Sequence, residues 1–178
     1  MKEYDKKLEG QLSEMVYRIR TELTPNDMKK LETVLILDVH CKDIVERFIR
    51  DSIMSPEEFG WESQLRFYWV RKLDSLVIRQ CSAEFSYGNE YFGLNGRLVI
   101  TPLTDRIYLT VTQALSLCLG GAPAGPAGTG KTETIKDLAK ALGLLCVVTN
   151  CGENMDYRFH SKPDLVVHVL LGVHELLL

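Results

Sequence analysis

The sequence predicts an α/β chain, with a mostly helical N-terminal segment followed by an incomplete P-loop αβα core. Three observations carry this reading. Residues 1–50 repeat apolar side chains at helical spacing. From Asp74 the text turns rich in β-branched and aromatic residues. Between Gly121 and Leu138 runs "GAPAGPAGTGKTETIKDL", a glycine loop leading into a helical pattern.

Leu8, Leu12, Met15, Val16, Ile19 and Leu23 share one face of a first amphipathic helix. "TPN" at 24–26 interrupts it and can cap a second helix carrying Met28, Leu31, Leu35 and Val39. Ile44, Val45, Phe48 and Ile49 form the stripe of a third helical stretch. A fourth is expected over "SPEEFGWESQLRFYWVRKL", with Ser55 as its cap and Pro56 at its first position. "DSLVIRQCSAEFSYGNEYFG" reads as short strands or a hairpin, with turn residues at Gly88–Asn89. "GRLVITPL" (96–103) reads as a short apolar strand stopped by Pro102. Next comes a helix capped by Thr104 or Asp105 and ended by Gly120–Gly121. A short strand near 121–124, the loop, a helix from about Gly130 to Leu142 and a buried-type strand over "LLCVVTN" (144–150) complete the pattern. No internal repeat is evident.

Composition narrows the function classes. The 178 residues are 46% hydrophobic and 25% charged, ordinary for a globular chain with a sizeable core. A net charge of −3 offers no basic field, so neither nucleic acid nor an anionic membrane is an expected partner. The five cysteines include no CxxC and no zinc spacing with His, which fits a reducing compartment. Cys118 and Cys146, inside apolar runs, are expected as small core residues. "MKEYDKKLEG" leads into no apolar signal region, so secretion is not expected. "LVVHVLLGVHELLL" (165–178) is too short and too polar to span a bilayer.

The loop carries the chemistry. Gly125-Pro126-Ala127-Gly128-Thr129-Gly130-Lys131-Thr132 fits G-x-x-x-x-G-K-[ST]. Chance produces that pattern in roughly one chain of this size in two hundred. The glycines allow a tight turn and close approach of phosphate to backbone N–H groups. The next helix aims its positive end at the same anion. Lys131 adds a point charge for the β- and γ-phosphates, and the Thr132 hydroxyl is placed for Mg²⁺. ATP or ADP with Mg²⁺ is the expected ligand.

Efficient hydrolysis also needs an acid at the end of a later strand. Asp38 of "VLILD" precedes the loop and fits a helical stripe as well as a strand; Glu175 of "LLGVHE" has His174 where an Asp is wanted. Neither is assigned, no catalytic residue is named, and enzymatic turnover is left open. Asn150 either faces the phosphate pocket or caps a turn. The four His are scattered and are not expected to be ligands.

"GRLVITPLTDRIYLTVTQALSLCLGGAPAGPAGTGKTETIKDLAKALG" resembles the start of the first AAA+ module of dynein heavy chains, in wording nearest the axonemal ones. "WESQLRFYW" and "YGNEYFGLNGRLVITPLTDR" are similar to the end of the linker, the mechanical element before the AAA+ ring, and "NCGENMDYR" to the segment after the second core strand. The resemblance implies a linker C-terminal part over 1–95, with short strands near 75–93, and the N-terminal half of an AAA+ module over 96–158. A divergent hydrophobic tail then fills 159–178.

The resemblance also implies adenine contacts from Val99, Ile100, Pro102 and Leu103, for which plain core packing is the alternative. It implies phosphate contacts from Gly128, Thr129, Gly130, Lys131 and Thr132. By family, the partners are other dynein chains and microtubules, and the setting is cytoplasm, cytoskeleton and ciliary axoneme. Past "MDYR" the likeness stops, before the family's strand ending in Asp-Glu. Two functional expectations follow. The chain is an ATP-binding segment related to microtubule-based movement that alone binds but does not efficiently hydrolyse nucleotide. The alternative is a truncated, non-enzymatic splice or gene-model product acting as an interaction fragment. In it an open sheet edge is expected, with the tail near 165–171 as a substitute strand. A small P-loop kinase is disfavoured, since its loop would stand near the N-terminus.

Overall fold

The computed structural model describes residues 1–126, 128–151 and 166–172. These divide into two compact units. The first comprises Met1–Leu65 with Phe92–Arg106, and the second Arg66–Tyr91 with Ile107–Leu178.

In the first unit, helix α1 (Lys2–Ile19) lies against helix α2 (Pro25–Arg50). Thr24 caps α2, its hydroxyl accepting from the Asp27 amide at 3.2 Å, and Pro25 opens the helix where a missing N–H costs nothing. The stripes predicted as two helices are one 26-residue helix, since nothing between Val39 and Ile44 breaks the backbone. Leu8, Val45 and Phe48 are buried, and Phe48 meets Trp61 with ring centroids 5.8 Å apart. His40 and Arg47 both approach the carboxylate of Asp105 at 3.6 Å.

The helix expected from Ser55 is a correction. Only one turn forms, α3 (Phe59–Glu62). The Glu58 carboxylate closes the loop before it, accepting from the Met54 and Ser55 amides at 2.8 Å each. "RFYWV" then becomes strand β1 (Arg66–Val70), because its aromatic and β-branched side chains alternate between two environments.

The second unit starts with β1, which pairs antiparallel with β2 (Ser75–Gln80), itself paired with β3 (Ala83–Ser86). The expected hairpin exists, but its turn is at Cys81–Ser82, with Cys81 at φ 48°, rather than at Gly88–Asn89. Ile78 and Val77 are buried.

No strand forms over 96–101. Residues there run directly into helix α4 (Pro102–Ser116), with Pro102 opening it. The unit boundary falls inside α4, after Arg106. Thr104 takes part in the cap, as expected, but the capping position is Thr101. The Thr104 amide donates to the Thr101 hydroxyl at 3.3 Å, while the Thr101 amide donates to the Thr104 hydroxyl at 2.8 Å. At the other end Cys118, not Gly120, takes the left-handed position at φ 58°, and the Leu119 amide reaches back to the Ala114 carbonyl at 2.9 Å. Cys118 is therefore exposed, not core.

Residues 121–124 form no strand, and Pro123 has no N–H to offer one. Helix α5 (Lys131–Leu142) buries Ile135, Leu138, Ala139, Ala141 and Leu142. Strand β4 (Leu145–Cys151) follows and pairs in parallel with β5 (Val166–Gly172), Leu145 opposite Val166 and Cys151 opposite Gly172. The tail does supply a strand beside β4. β4 is nonetheless not the fully buried strand expected: Leu145 is 45% and Val147 39% exposed. No helix among the described residues is long and apolar enough to cross a membrane.

Candidate functional site

The glycine loop lies at the N-terminal end of α5. Gly128 and Gly130 sit at φ 78° and 79°, a region that costs an L side chain about 1–2 kcal/mol. A Cβ at either would meet nothing within 4 Å, so the backbone conformation, not crowding, asks for glycine there. The space a side chain would fill is open for an anion. Gly130 occupies the cap position of α5, and no side chain caps the first turn. The first N–H groups of a helix lack intrahelical acceptors, so this end presents donors and positive potential together.

Lys131 folds back over the loop. Its ammonium donates to the carbonyls of Gly125 at 2.7 Å and Pro126 at 2.6 Å. The Thr129 hydroxyl donates to the same Pro126 carbonyl at 2.9 Å and braces the turn. The ammonium thus rests on neutral oxygens, which phosphate oxygens can replace with stronger, charge-assisted bonds. Thr132 is half-buried in the first turn. The residues fit a nucleotide phosphate with its magnesium: glycines in left-handed conformations, an uncapped helix start, one ammonium at the mouth and one hydroxyl behind it.

Gly125, Pro126, Gly128, Thr129, Gly130, Lys131 and Thr132 are therefore brought together, and Ala127 lies outside the described residues. Val99, Ile100, Pro102 and Leu103 belong to the first unit. Val99 is 64% and Leu103 63% exposed, so these two do not serve core packing. "VLILD" is helical within α2, which removes Asp38 from any strand end. His160, His174 and Glu175 lie outside the described residues, as do residues 152–158 of "NCGENMDYR". Among the described residues no group of three His, Cys, Asp or Glu side chains could hold a metal ion. Burial pushes the Cys146 thiol pKa up, which disfavours the thiolate.

Sequence reasoning missed the supports of α5. Asp137 is 2% exposed and accepts from the Tyr108 hydroxyl of α4 at 2.9 Å. The available signal was a charged residue beside the apolar stripe of Leu138, Ala141 and Leu142. A second polar tie joins β2 to α4. The Thr112 hydroxyl donates to the Gln80 side-chain oxygen at 2.8 Å, and the Gln113 amide donates to the Gln80 carbonyl at 2.8 Å.

Residues 87–163 match the family model described as the hydrolytic ATP binding site of the dynein motor region. The chain is 72% identical over 162 residues to human dynein axonemal heavy chain 10, covering 91% of this chain and 4% of that protein. It is 61% identical over 158 residues to the Chlamydomonas reinhardtii dynein-1-alpha heavy chain of the flagellar inner arm I1 complex, covering 89% of this chain and 3% of that one. Against dynein axonemal heavy chain 11 of Sus scrofa the identity is 48% over 158 residues, covering 89% of this chain and 4% of the relative. The chain thus spans 3–4% of the length of these relatives.

Proposed function

The chain belongs with the axonemal dynein heavy chains, and on that premise we propose that it is a nucleotide-binding segment of such a motor, taking ATP or ADP with Mg²⁺. The observation that carries the proposal is the Lys131 ammonium resting on the Gly125 and Pro126 carbonyls in front of an uncapped α5. On binding, Lys131 leaves these carbonyls for β- and γ-phosphate oxygens. The N–H groups of Gly128 to Thr132 receive the remaining phosphate oxygens. Mg²⁺, when bound, neutralises phosphate charge, and the Thr132 hydroxyl is the side chain here that would hold it. Val99, Ile100, Pro102 and Leu103 supply apolar contacts to the adenine, a role supported by the free surface of Val99 and Leu103.

In this reading residues 1–95 are the end of the linker, 96–158 the first half of the AAA+ module and 159–178 a divergent tail. The setting is the ciliary axoneme within the cytoskeleton, as the names of the relatives state for them. Other dynein chains and microtubules are the partners of the motor to which the segment relates. The 178 residues by themselves bind nucleotide without efficient hydrolysis, because their sequence carries no acidic pair closing an apolar strand after the loop.

A second reading is favoured by the exposed Leu145 and Val147 on a two-stranded sheet. In it the chain is a truncated, non-enzymatic product that associates with other proteins through that surface. Calorimetry of Mg·ATP and Mg·ADP binding, with Lys131→Ala alongside, separates the two. Saturable, lysine-dependent binding supports the nucleotide reading; absence of binding by the unaltered chain sinks it.

A further inference from the structure

The far end of α5 is held as firmly as its loop end is open. After β3 the chain passes through Tyr87, Gly88, Asn89 and Glu90, and two of these amides reach the last carbonyls of the helix. Gly88 donates to the Leu142 carbonyl and Glu90 to the Gly143 carbonyl, both at 3.0 Å. Asn89 takes φ 58°, and its side chain donates to the Tyr87 carbonyl at 3.1 Å, which holds the loop in shape. The fit leaves no room. A Cβ on Gly88 would overlap the Gly143 carbonyl oxygen, and a Cβ on Gly143 would lie 2.5 Å from the Tyr87 ring. Local amides at Gly143 and Leu144 satisfy the Lys140 and Ala139 carbonyls, and the last two, of Leu142 and Gly143, are satisfied by a segment more than fifty residues earlier in sequence.

We propose that the Tyr87–Glu90 loop is a positioning clamp for the phosphate cradle: by fixing the C-terminal end of α5 it sets the direction in which the helix presents Gly130, Lys131 and Thr132. A twelve-residue helix is a rigid lever of roughly 18 Å. A small tilt at its clamped end therefore displaces the donors at its other end, where hydrogen bonds to phosphate tolerate only a few tenths of an ångström. Tyr108, bonded to Asp137 near mid-helix, serves as the fulcrum. The coupling is reciprocal, so phosphate at the cradle stiffens the clamp and, through β3, the antiparallel sheet from which the loop hangs. This rests on the nucleotide reading above. It adds a role for four residues that touch no ligand.

Residue-resolved amide exchange on the full chain tests it, alone and with Mg·ADP, for the unaltered protein and for Gly88→Ala. Tyr87→Leu is the gentler variant, removing the ring but keeping both N–H donors, should Gly88→Ala fail to fold. The expected result has three parts: faster exchange at Thr132–Thr134 in the variant, a Kd for Mg·ADP weakened about tenfold, and, in the unaltered chain, slower exchange of the Gly88 and Glu90 amides on adding Mg·ADP. A merely structural loop leaves that last readout unmoved. The clamp is overturned if faster exchange stays confined to 87–90 and 139–143 with Kd unchanged. If the unaltered chain binds no Mg·ADP, the nucleotide reading fails instead, and exchange at Thr132–Thr134 without ligand decides whether the clamp acts on the helix.

Discussion

Helix α4 begins with Thr101 and Thr104 exchanging hydrogen bonds across its first turn, and with Asp105 supplying a negative charge to its positive end. Helix α5 begins with Gly130, which has no side chain to offer, and its first-turn acid, Glu133, is drawn to Lys136 at 2.7 Å. Both helices face the same problem of unsatisfied N–H groups and a concentrated positive potential. One solves it internally; the other carries no side-chain cap, and in the proposed function a phosphate takes that place. A helix start closed by its own side chains is architecture. A start kept open by glycine, with a lysine resting on replaceable carbonyls, is what the proposed phosphate site requires.

Removing the lysine is the most damaging way to break this contrast. Lys131→Ala should weaken Mg·ATP binding by about a hundredfold or more, or roughly 3 kcal/mol, since it deletes the ammonium that rests on the loop carbonyls. Helical circular dichroism should stay unchanged, because the Lys131 ammonium bonds only loop carbonyls. Equal affinity in the variant would mean that α5, like α4, is simply a helix.

Next in size is the support beneath the open end. Tyr108→Phe removes the hydroxyl that donates to buried Asp137. A hydrogen bond to a buried charge is worth about 1.5–3 kcal/mol. Denaturant unfolding should show a loss in that range. A loss under about half a kcal/mol would show that the other contacts of Asp137 carry its burial.

Opening the closed start comes third. Thr101→Ala deletes the acceptor for the Thr104 amide and should cost about 1 kcal/mol of stability. Unchanged unfolding would mean that Pro102 alone starts α4.

The contrast also explains what the sequence made legible. The loop could be read residue by residue because phosphate chemistry demands glycines, a lysine and a hydroxyl at fixed spacing. The start of α5 near Gly130 was visible for the same reason. "LRFYWV" was misread because Ser55–Pro56 is a strong helix start, yet Glu58 spends its carboxylate on the Met54 and Ser55 amides and the helix stops after one turn. Cys81 and Cys118 hold left-handed positions that local preference assigns to glycine, so the turns were sought at Gly88 and Gly120 instead. Gly88 did mark something, a backbone approach to Gly143, but its partner lies too far along the chain for any local pattern to name.

The smallest effect concerns the anion that α4 keeps for itself. His40 lies 3.6 Å from Asp105, and burial pushes its pKa below the usual histidine value. Asp105 and Asp43 pull it back up, and Arg47 pushes it further down. Folded His40 therefore binds fewer protons than unfolded His40 just below the ordinary histidine pKa of about 6.5. Stability rises with pH wherever the unfolded state holds more protons. The contribution is complete above about pH 6.5 and is lost as the pH falls from there through the depressed folded value. Asp105→Asn removes the main influence opposing burial, so the folded pKa should drop further and the acid-sensitive window widen. Stability measured between pH 7.5 and 5 should fall more steeply in Asp105→Asn than in the unaltered chain, and the excess should vanish in a His40→Gln background. Parallel profiles would mean that His40 does not sense the charge at the start of α4, and that Asp105 answers to Arg47 and the helix alone.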